Sequence, residues 1–305
     1  MENKNDRGCL MDTINQVKFT RLIEEGRKTK IKGDKPLVNF FILSFILAWM
    51  FMSIGVVQNY GLVRFPIPLE PFIILGSWTP NIAAFLVMGL IIRRKDGIKH
   101  LILGWAKWKV SPLWYLVSLS PVLLSLITLG IYRVLYGVFP TTELFSNPAL
   151  LLPLLLINIL TGATGEQLGW RGFALPWFQT KMSALLSSIV LGLIWSFWHI
   201  PLWFAGIGHE SFPFWAYSII GVSFSILVTW ACNNTRGSML IASLFHLFLN
   251  LGVSMINPIA TPLLAVVFAL YALIIVMIFG PRKLSRKNEI PINKDKKSWV
   301  IEEKG

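Results

Sequence analysis

Four polar side chains in the second half of the chain have the chemistry of a hydrolytic site. Glu166, His199 and His246 lie in runs that are otherwise apolar, and Asn250 follows His246 by about one helical turn. Residues four apart share a helix face, so His246 and Asn250 point in one direction. A buried carboxylate can act as a general base for water, and imidazole or amide N–H groups can stabilise an oxyanion. These four residues are therefore the candidate catalytic residues.

A metal site is the alternative chemistry for the same side chains. Glu166, His199 and His246 could form a shell around a divalent metal such as zinc, but the general base would then have to come from elsewhere. The only cysteines are Cys9 and Cys232, which excludes a cysteine zinc cluster and a disulfide scaffold. The residue types thus require no cofactor, and zinc stays open as a possible one.

Charge is scarce around these residues. The stretch from Leu144 to Pro281 has five formally charged residues: Glu166, Arg171, Lys181, Glu210 and Arg236. Glu166 and Arg171 continue an apolar helix, and a charge at bilayer depth costs at least ~2.5–3.5 kcal/mol, so such groups usually serve a function. The plainer alternative is a carboxylate that only locks helix packing, with His199 as an ordinary core histidine.

The elements that must position these groups are membrane helices. Apolar residues make up 54% of the chain and charged residues 14%, unlike a soluble domain. Uncharged runs long enough to span a bilayer, or nearly so, are 37–57, 71–92, 112–132, 148–165, 182–208, 211–235 and 237–281. Prolines near residues 257–262 break the last run, which gives about eight transmembrane helices. We expect an all-α, polytopic membrane helix bundle.

The distribution of basic residues predicts its orientation. The net charge is +13, and Lys and Arg cluster in residues 1–36, 93–111 and 282–305, beside the apolar runs. The positive-inside rule then places both termini in the cytoplasm, and the clusters contact anionic membrane lipid, with no nucleic acid as a partner. The predicted organisation is a basic N-terminal cytoplasmic tail (1–36), a three-helix membrane region (37–144), a catalytic-core-like membrane domain (145–281) and a basic C-terminal cytoplasmic tail (282–305).

Helix rise predicts that the candidate residues can meet. Gln179 to Lys181 form the polar cluster between the fourth and fifth helices, which predicts a tight turn there. Glu166 precedes that turn, and His199 follows it, by similar numbers of residues. At ~1.5 Å per residue the two lie level on antiparallel helices, provided that the fourth helix continues through Glu166.

These residues carry a resemblance to a known family. Residues 165–176, Gly-Glu-Gln-Leu-Gly-Trp-Arg-Gly-Phe-Ala-Leu-Pro, resemble the first motif of the CAAX-protease and bacteriocin-processing family, the Rce1-like or Abi intramembrane endopeptidases. Trp195 to His199 is similar to its second motif, and His246 to Asn250 to its third, His-x-x-x-Asn. The resemblance covers roughly residues 150–255. It implies that Glu166 activates water, that His199 helps to position it, and that His246 and Asn250 stabilise the oxyanion.

The implied substrate is a membrane-associated peptide or a lipidated protein. The chain looks bacterial, which implies a multi-pass protein of the bacterial plasma membrane. Eukaryotic members of the family trim prenylated proteins, whereas a bacterial member is expected to act in peptide maturation, quorum sensing or bacteriocin immunity. Some of the family has been treated as metalloproteases, in agreement with the open zinc alternative.

The chain departs from the family pattern at two supporting residues. Gln167 stands where the family has a second glutamate, and Trp195 where phenylalanine is more common. Gln167 and Arg171 are four apart, which predicts an amide–guanidinium hydrogen bond between them. Trp195 keeps an aromatic wall and adds one indole donor.

Two further hypotheses stay open at this point. Gln167 would also fit a catalytically weak relative that acts by binding, as a membrane immunity protein or a regulator of a sensor kinase. A transporter would need broken helices that face each other at the midplane, and residues 37–132 lack a second polar constellation. Proteolysis is the function that the motifs favour.

Overall fold

A computed structural model describes residues 34–64, 66, 68–93, 95–207 and 209–286 of the chain. Most of the two predicted tails, residues 1–33 and 287–305, lies outside these residues. All regular secondary structure within these residues is helical, apart from an isolated β-bridge between Thr141 and Ile256. The prediction of an all-α protein is confirmed.

The helices follow one another with short connections. They are α1 (Lys35–Asn59), α2 (Glu70–Leu86), α3 (Lys95–Leu103), α4 (Leu113–Ser118), α5 (Ser120–Tyr136), α6 (Glu143–Ser146), α7 (Leu151–Asn158), α8 (Leu175–Gln179), α9 (Ala184–Trp198), α10 (Phe214–Asn234), α11 (Met239–Ser254) and α12 (Thr261–Phe279). Single π-helical segments occupy Val87–Ile91, Ile159–Ala163 and Leu168–Ala174. Short 3₁₀ segments occupy Pro148–Leu150, Ile200–Phe204, His209–Ser211 and Pro258–Ala260.

Six stretches of the described chain are long and apolar enough to cross a membrane. They are Lys35–Asn59, Glu70–Ile91, Pro148–Gln179, Ala184–Phe204, Phe214–Asn234 and Pro258–Phe279. Two shorter apolar helices, α5 and α11, lie beside them. The break predicted in the last apolar run is present, because α11 ends at Ser254 and a 3₁₀ turn precedes α12. The predicted total of eight membrane helices and the cytoplasmic placement of both termini stay predictions.

The stretch that contains Glu166 is not the continuous α-helix that the sequence predicted. We call residues 159–174 the Glu166 segment. It contains two π-helical turns, and Thr161 has non-helical backbone angles (φ −99°, ψ −112°). Short π-helical insertions are rare and often occur at functional sites. The consequence is that side-chain directions here do not follow the i, i+4 rule of a regular helix.

Helix α2 packs very closely on the Glu166 segment. Gly169 lies against Pro80, and a Cβ atom placed on Gly169 would come within 2.4 Å of the Pro80 carbonyl atoms. Pro80 is inside α2 and has no N–H for the Gly76 carbonyl, which accepts a hydrogen bond from the Thr79 hydroxyl at 2.8 Å instead. Two backbones therefore meet with no side chain between them.

Replacing Gly169 by alanine should destabilise the protein by about 1–3 kcal/mol, because the added methyl group would push the Glu166 segment away from α2. Thermal unfolding in detergent measures this loss. Gly130→Ala is the matched control, since a Cβ at that helical glycine meets nothing within 4 Å. Equal unfolding temperatures for the two variants would contradict the close contact.

Indole hydrogen bonds connect the end of α9 to α1. Trp198 Nε1 donates to the Ser44 carbonyl at 3.2 Å, and Trp49 Nε1 donates to the Trp198 carbonyl at 3.1 Å. Trp198 is fully buried. Helix α9 ends at Trp198, and His199 is its C-cap residue, directly before the 3₁₀ turn Ile200–Phe204. This arrangement fixes His199 relative to the bundle.

Candidate active site

Trp195 lies at the centre of the candidate residues. Its indole Nε1 donates a hydrogen bond to Glu166 Oε2 at 2.6 Å. Its ring centroid lies 4.3 Å from that of His199 and 5.7 Å from that of His246. Glu166, His199 and His246 are all nearly fully buried, with exposed fractions of 2%, 7% and 1%. Residues from the Glu166 segment, α9 and α11 thus converge on one indole ring.

The backbone fixes which ring nitrogen of His199 is protonated. His199 Nδ1 lies 2.8 Å from the Trp195 carbonyl oxygen, which can only accept, so Nδ1 carries the proton. In the neutral ring Nε2 then keeps its lone pair. His199 is therefore built to accept a hydrogen bond through Nε2, for example from a water molecule.

His246 contacts the side-chain amide of Gln167. Gln167 Nε2 lies 2.6 Å from His246 Nδ1 and 3.4 Å from the Gly162 carbonyl oxygen, so the amide nitrogen faces both. With the amide N–H as the donor, Nδ1 accepts and the proton of the neutral ring lies on Nε2. The His246 ring also hydrogen-bonds to the Gly162 carbonyl.

Asn250 has a hydrogen-bond partner, Asn158, that was not among the predicted site residues. Asn250 Nδ2 donates to Asn158 Oδ1 at 3.0 Å, and Asn158 Nδ2 donates to the Leu154 carbonyl at 2.8 Å. This pair fixes the orientation of the Asn250 amide and leaves it a second N–H to donate. Asn158 is the one amide side chain in the apolar run 148–165, and this isolation was the sequence signal that could have identified it.

The side chains of His246 and Asn250 both lie close to Gly162. A Cβ atom on Gly162 would lie 2.6 Å from His246 Nε2 and 3.2 Å from Asn250 Nδ2. Both nitrogens therefore border the same small space beside the Glu166 segment, which only a glycine leaves open. The side-chain nitrogens of His246 and Asn250 therefore lie close to one point beside Gly162.

The predicted hydrogen bond between Gln167 and Arg171 was wrong. Gln167 turns to His246, and within the described residues no side chain or carbonyl accepts a hydrogen bond from the buried Arg171 guanidinium. That guanidinium lies over the Phe224 ring at 5.2 Å instead. The reason is the π-helical backbone from Leu168 to Ala174, in which residues four apart no longer share a face.

The loop after α9 and the first turn of α10 cover the His199 side of the site with aromatic rings. This aromatic cover consists of Trp203, His209, Phe212, Phe214 and Tyr217. Tyr217 stacks on Trp195 with centroids 5.7 Å apart, and His209 packs on Trp203 at 5.5 Å. Burial lowers the pKa of His209 to about 4, although Glu210 opposes the shift. His209 is therefore neutral at pH 7 and adds no positive charge beside His199.

Zinc stays an alternative for the same side chains. Within the part of the chain that it describes, no three His, Cys, Asp or Glu side chains lie together as a metal site. His199 Nδ1, His246 Nδ1 and Glu166 Oε2 are each engaged by a hydrogen bond.

The chain is similar to proteins of one known family. Residues 148–252 match the family described as type II CAAX prenyl endopeptidase, Rce1-like. Over 219 residues the chain is 31% identical to CAAX prenyl protease 2 of Methanococcus maripaludis, and this alignment covers 69% of the chain and 78% of that protein. The matched range includes Glu166, His199, His246 and Asn250.

Proposed function

Because this chain belongs to the Rce1-like family of CAAX endopeptidases, we propose that it is an intramembrane endopeptidase in which Glu166 activates water. The observation that carries the proposal is the convergence of Glu166, His199 and His246 on the indole of Trp195. A buried carboxylate, a lone-pair nitrogen and two N–H donors are the groups that peptide hydrolysis by water requires.

The proposed mechanism gives each side chain a role that its hydrogen bonds support. Trp195 holds Glu166 Oε2, which leaves the proposed proton transfer to Oε1. The water donates one hydrogen bond to Glu166 and the other to His199 Nε2, and its oxygen attacks the carbonyl carbon of the scissile bond. As the C–O bond forms, the proton passes to Glu166.

The tetrahedral intermediate places negative charge on the former carbonyl oxygen. His246 Nε2–H and the second N–H of Asn250 donate to this oxyanion. When the intermediate collapses, the C–N bond breaks and Glu166 returns the proton to the leaving amine. The products are a carboxylic acid and an amine, and the enzyme is restored.

The proposed topology has eight membrane crossings and both termini in the cytoplasm. The six long apolar stretches, with α5 and α11, supply the eight segments. Orientation rests on the basic clusters, which flank the segments and would contact anionic lipid on the cytoplasmic side. For this sequence we propose the bacterial plasma membrane as the location.

Membrane-associated peptides or lipidated proteins are the proposed substrates. The similar protein of Methanococcus maripaludis is named a CAAX prenyl protease, which supports a prenylated C-terminal sequence as the first probe. Peptide maturation and bacteriocin immunity stay alternative biological settings for the same hydrolysis. A role without catalysis, as an immunity protein or a regulator of a sensor kinase, is the alternative function.

Hydrolysis by the purified protein tests the proposal. The protein in lipid nanodiscs is mixed with a fluorogenic peptide that ends in a prenylated Cys-aliphatic-aliphatic-X sequence, and with an unmodified amphipathic peptide. We expect fluorescence to rise and mass spectrometry to show a new carboxyl terminus. Failure to cleave either peptide would favour the role without catalysis.

The same hydrolysis assay tests whether the activity depends on a bound metal. We expect prior treatment with a strong zinc chelator to change the rate by less than about twofold, because the mechanism assigns no step to a metal. Loss of activity on chelation, with recovery on adding zinc back, would overturn the metal-free mechanism. Chelator added without pre-incubation controls for direct effects on the peptide.

A further inference from the structure

Asn81 of α2 makes two backbone hydrogen bonds across the turn that contains Glu166. Its Nδ2 donates to the Thr164 carbonyl at 2.7 Å, and its Oδ1 accepts from the Gly169 N–H at 2.9 Å. The Asn81 side chain is fully buried. One carboxamide therefore connects the residues on either side of Glu166 and Gln167.

The two backbone groups are potential partners of each other. The Gly169 N–H and the Thr164 carbonyl are five residues apart, the spacing of a π-helical hydrogen bond. A carboxamide has a donor and an acceptor side by side, so it can be inserted between such a pair and satisfy both. Two hydrogen bonds to Asn81 thus take the place of one direct bond between the Gly169 N–H and the Thr164 carbonyl. The inserted carboxamide keeps these two backbone groups apart, and we call this the opened turn.

The opened turn sets the directions of two neighbouring side chains. Glu166 reaches Trp195 on α9, while Gln167 reaches His246 on α11. If the Gly169 N–H bonded directly to the Thr164 carbonyl, the turn would tighten and both directions would change. We propose that Asn81 is a positioning residue for catalysis, which aims Glu166 at the water and Gln167 at His246.

This inference rests on the proposed function and goes beyond it. Asn81 lies outside the matched range 148–252, in the N-terminal region that the motif resemblance does not cover. Other α2 contacts hold the segment in place without crossing the turn: Trp78 Nε1 donates to the Leu160 carbonyl at 2.7 Å, before the break. Asn81 acts on the geometry of Glu166 itself.

Kinetics of the Asn81→Leu variant test the proposal. Leucine has a similar shape and removes both hydrogen bonds, so we expect kcat to fall by about 10- to 100-fold with KM changed by less than about twofold. Asn81→Gln keeps the carboxamide on a longer side chain and should retain more of kcat. A kcat that stays at the wild-type value in Asn81→Leu would overturn the proposal.

Thr79→Val is the matched control on the same helix. Thr79 is also fully buried, and its hydroxyl bonds to the Gly76 and Ser44 carbonyls, away from the Glu166 segment. We expect a comparable loss of thermal stability in both variants, but loss of kcat in Asn81→Leu alone. An equal fall in kcat in both would mean that Asn81 only supports the fold.

A spectroscopic measurement tests the positioning role of Asn81 without relying on peptide cleavage. The chain has four histidines, so nitrogen NMR of protein with isotope-labelled histidine can resolve His246, assigned with His246→Ala. Asn81→Leu should shift the His246 Nδ1 signal by loss of the Gln167 donor, and Thr79→Val should leave it unchanged. If no peptide is cleaved, the proposed function fails, and this signal alone decides the positioning role. An unchanged signal would overturn it.

Discussion

Replacing Glu166 by glutamine should lower kcat for the prenylated peptide by about 10²- to 10⁴-fold, the contribution of a general base. Glutamine has nearly the same shape, and its amide oxygen can still accept the hydrogen bond that Trp195 Nε1 gives to Glu166 Oε2. The fold should therefore survive while the basic oxygen is lost. The measurement is steady-state hydrolysis in nanodiscs, with thermal unfolding to show that the protein is intact.

Glu210→Gln is the control for this variant. Glu210 is an exposed carboxylate in the loop after α9, and its replacement should leave kcat unchanged. Wild-type activity in Glu166→Gln would remove the base from the mechanism. A biological activity that also survives this substitution would favour the immunity or regulatory role.

Loss of either oxyanion donor should have the next largest effect. We expect His246→Ala and Asn250→Ala each to lower kcat by about 10²- to 10³-fold, because each removes one donor to the developing negative charge. KM should change little, since the donors act mainly in the transition state. Asn158→Leu should give a smaller loss, because it releases the Asn250 amide without removing it.

The two donors should act as a unit. The double variant of His246 and Asn250 is expected to lose less than the product of the single effects, since residues around one oxyanion are strongly coupled. Asn257→Ala is the control: this asparagine caps the 3₁₀ turn before α12 by accepting from the Ile259 N–H, and its loss should leave kcat unchanged. Full activity in His246→Ala would exclude the assigned oxyanion role.

The candidate residues could be selected from the sequence because they are polar groups in apolar runs. A membrane span tolerates few ionisable residues, so Glu166, His199 and His246 are unusual in their apolar runs. Asn81 and Asn158 are also polar residues in apolar runs, but a single amide is a weak signal in a span. Their importance depends on which backbone groups they meet, and the sequence does not show that.

The side-chain directions around Glu166 could not be predicted. The spacing of Gln167 and Arg171 predicts a contact only on a regular α-helix. The structure replaces that helix by π-helical turns, because the close approach of Gly169 to Pro80 and the inserted Asn81 amide favour an open backbone. Gln167 is thereby turned from Arg171 to His246.

The sequence by itself determined the helical, membrane-type architecture and the identity of the four candidate residues, since hydropathy and residue type act locally along the chain. Only the tertiary structure decided how these residues can cooperate. Trp195 contacts the carboxylate and both imidazoles, the Trp195 carbonyl orients His199, the Gln167 amide contacts His246, and Asn81 of α2 bonds to the backbone on both sides of Glu166. These are contacts between distant segments, and their geometry follows from packing that no local pattern encodes.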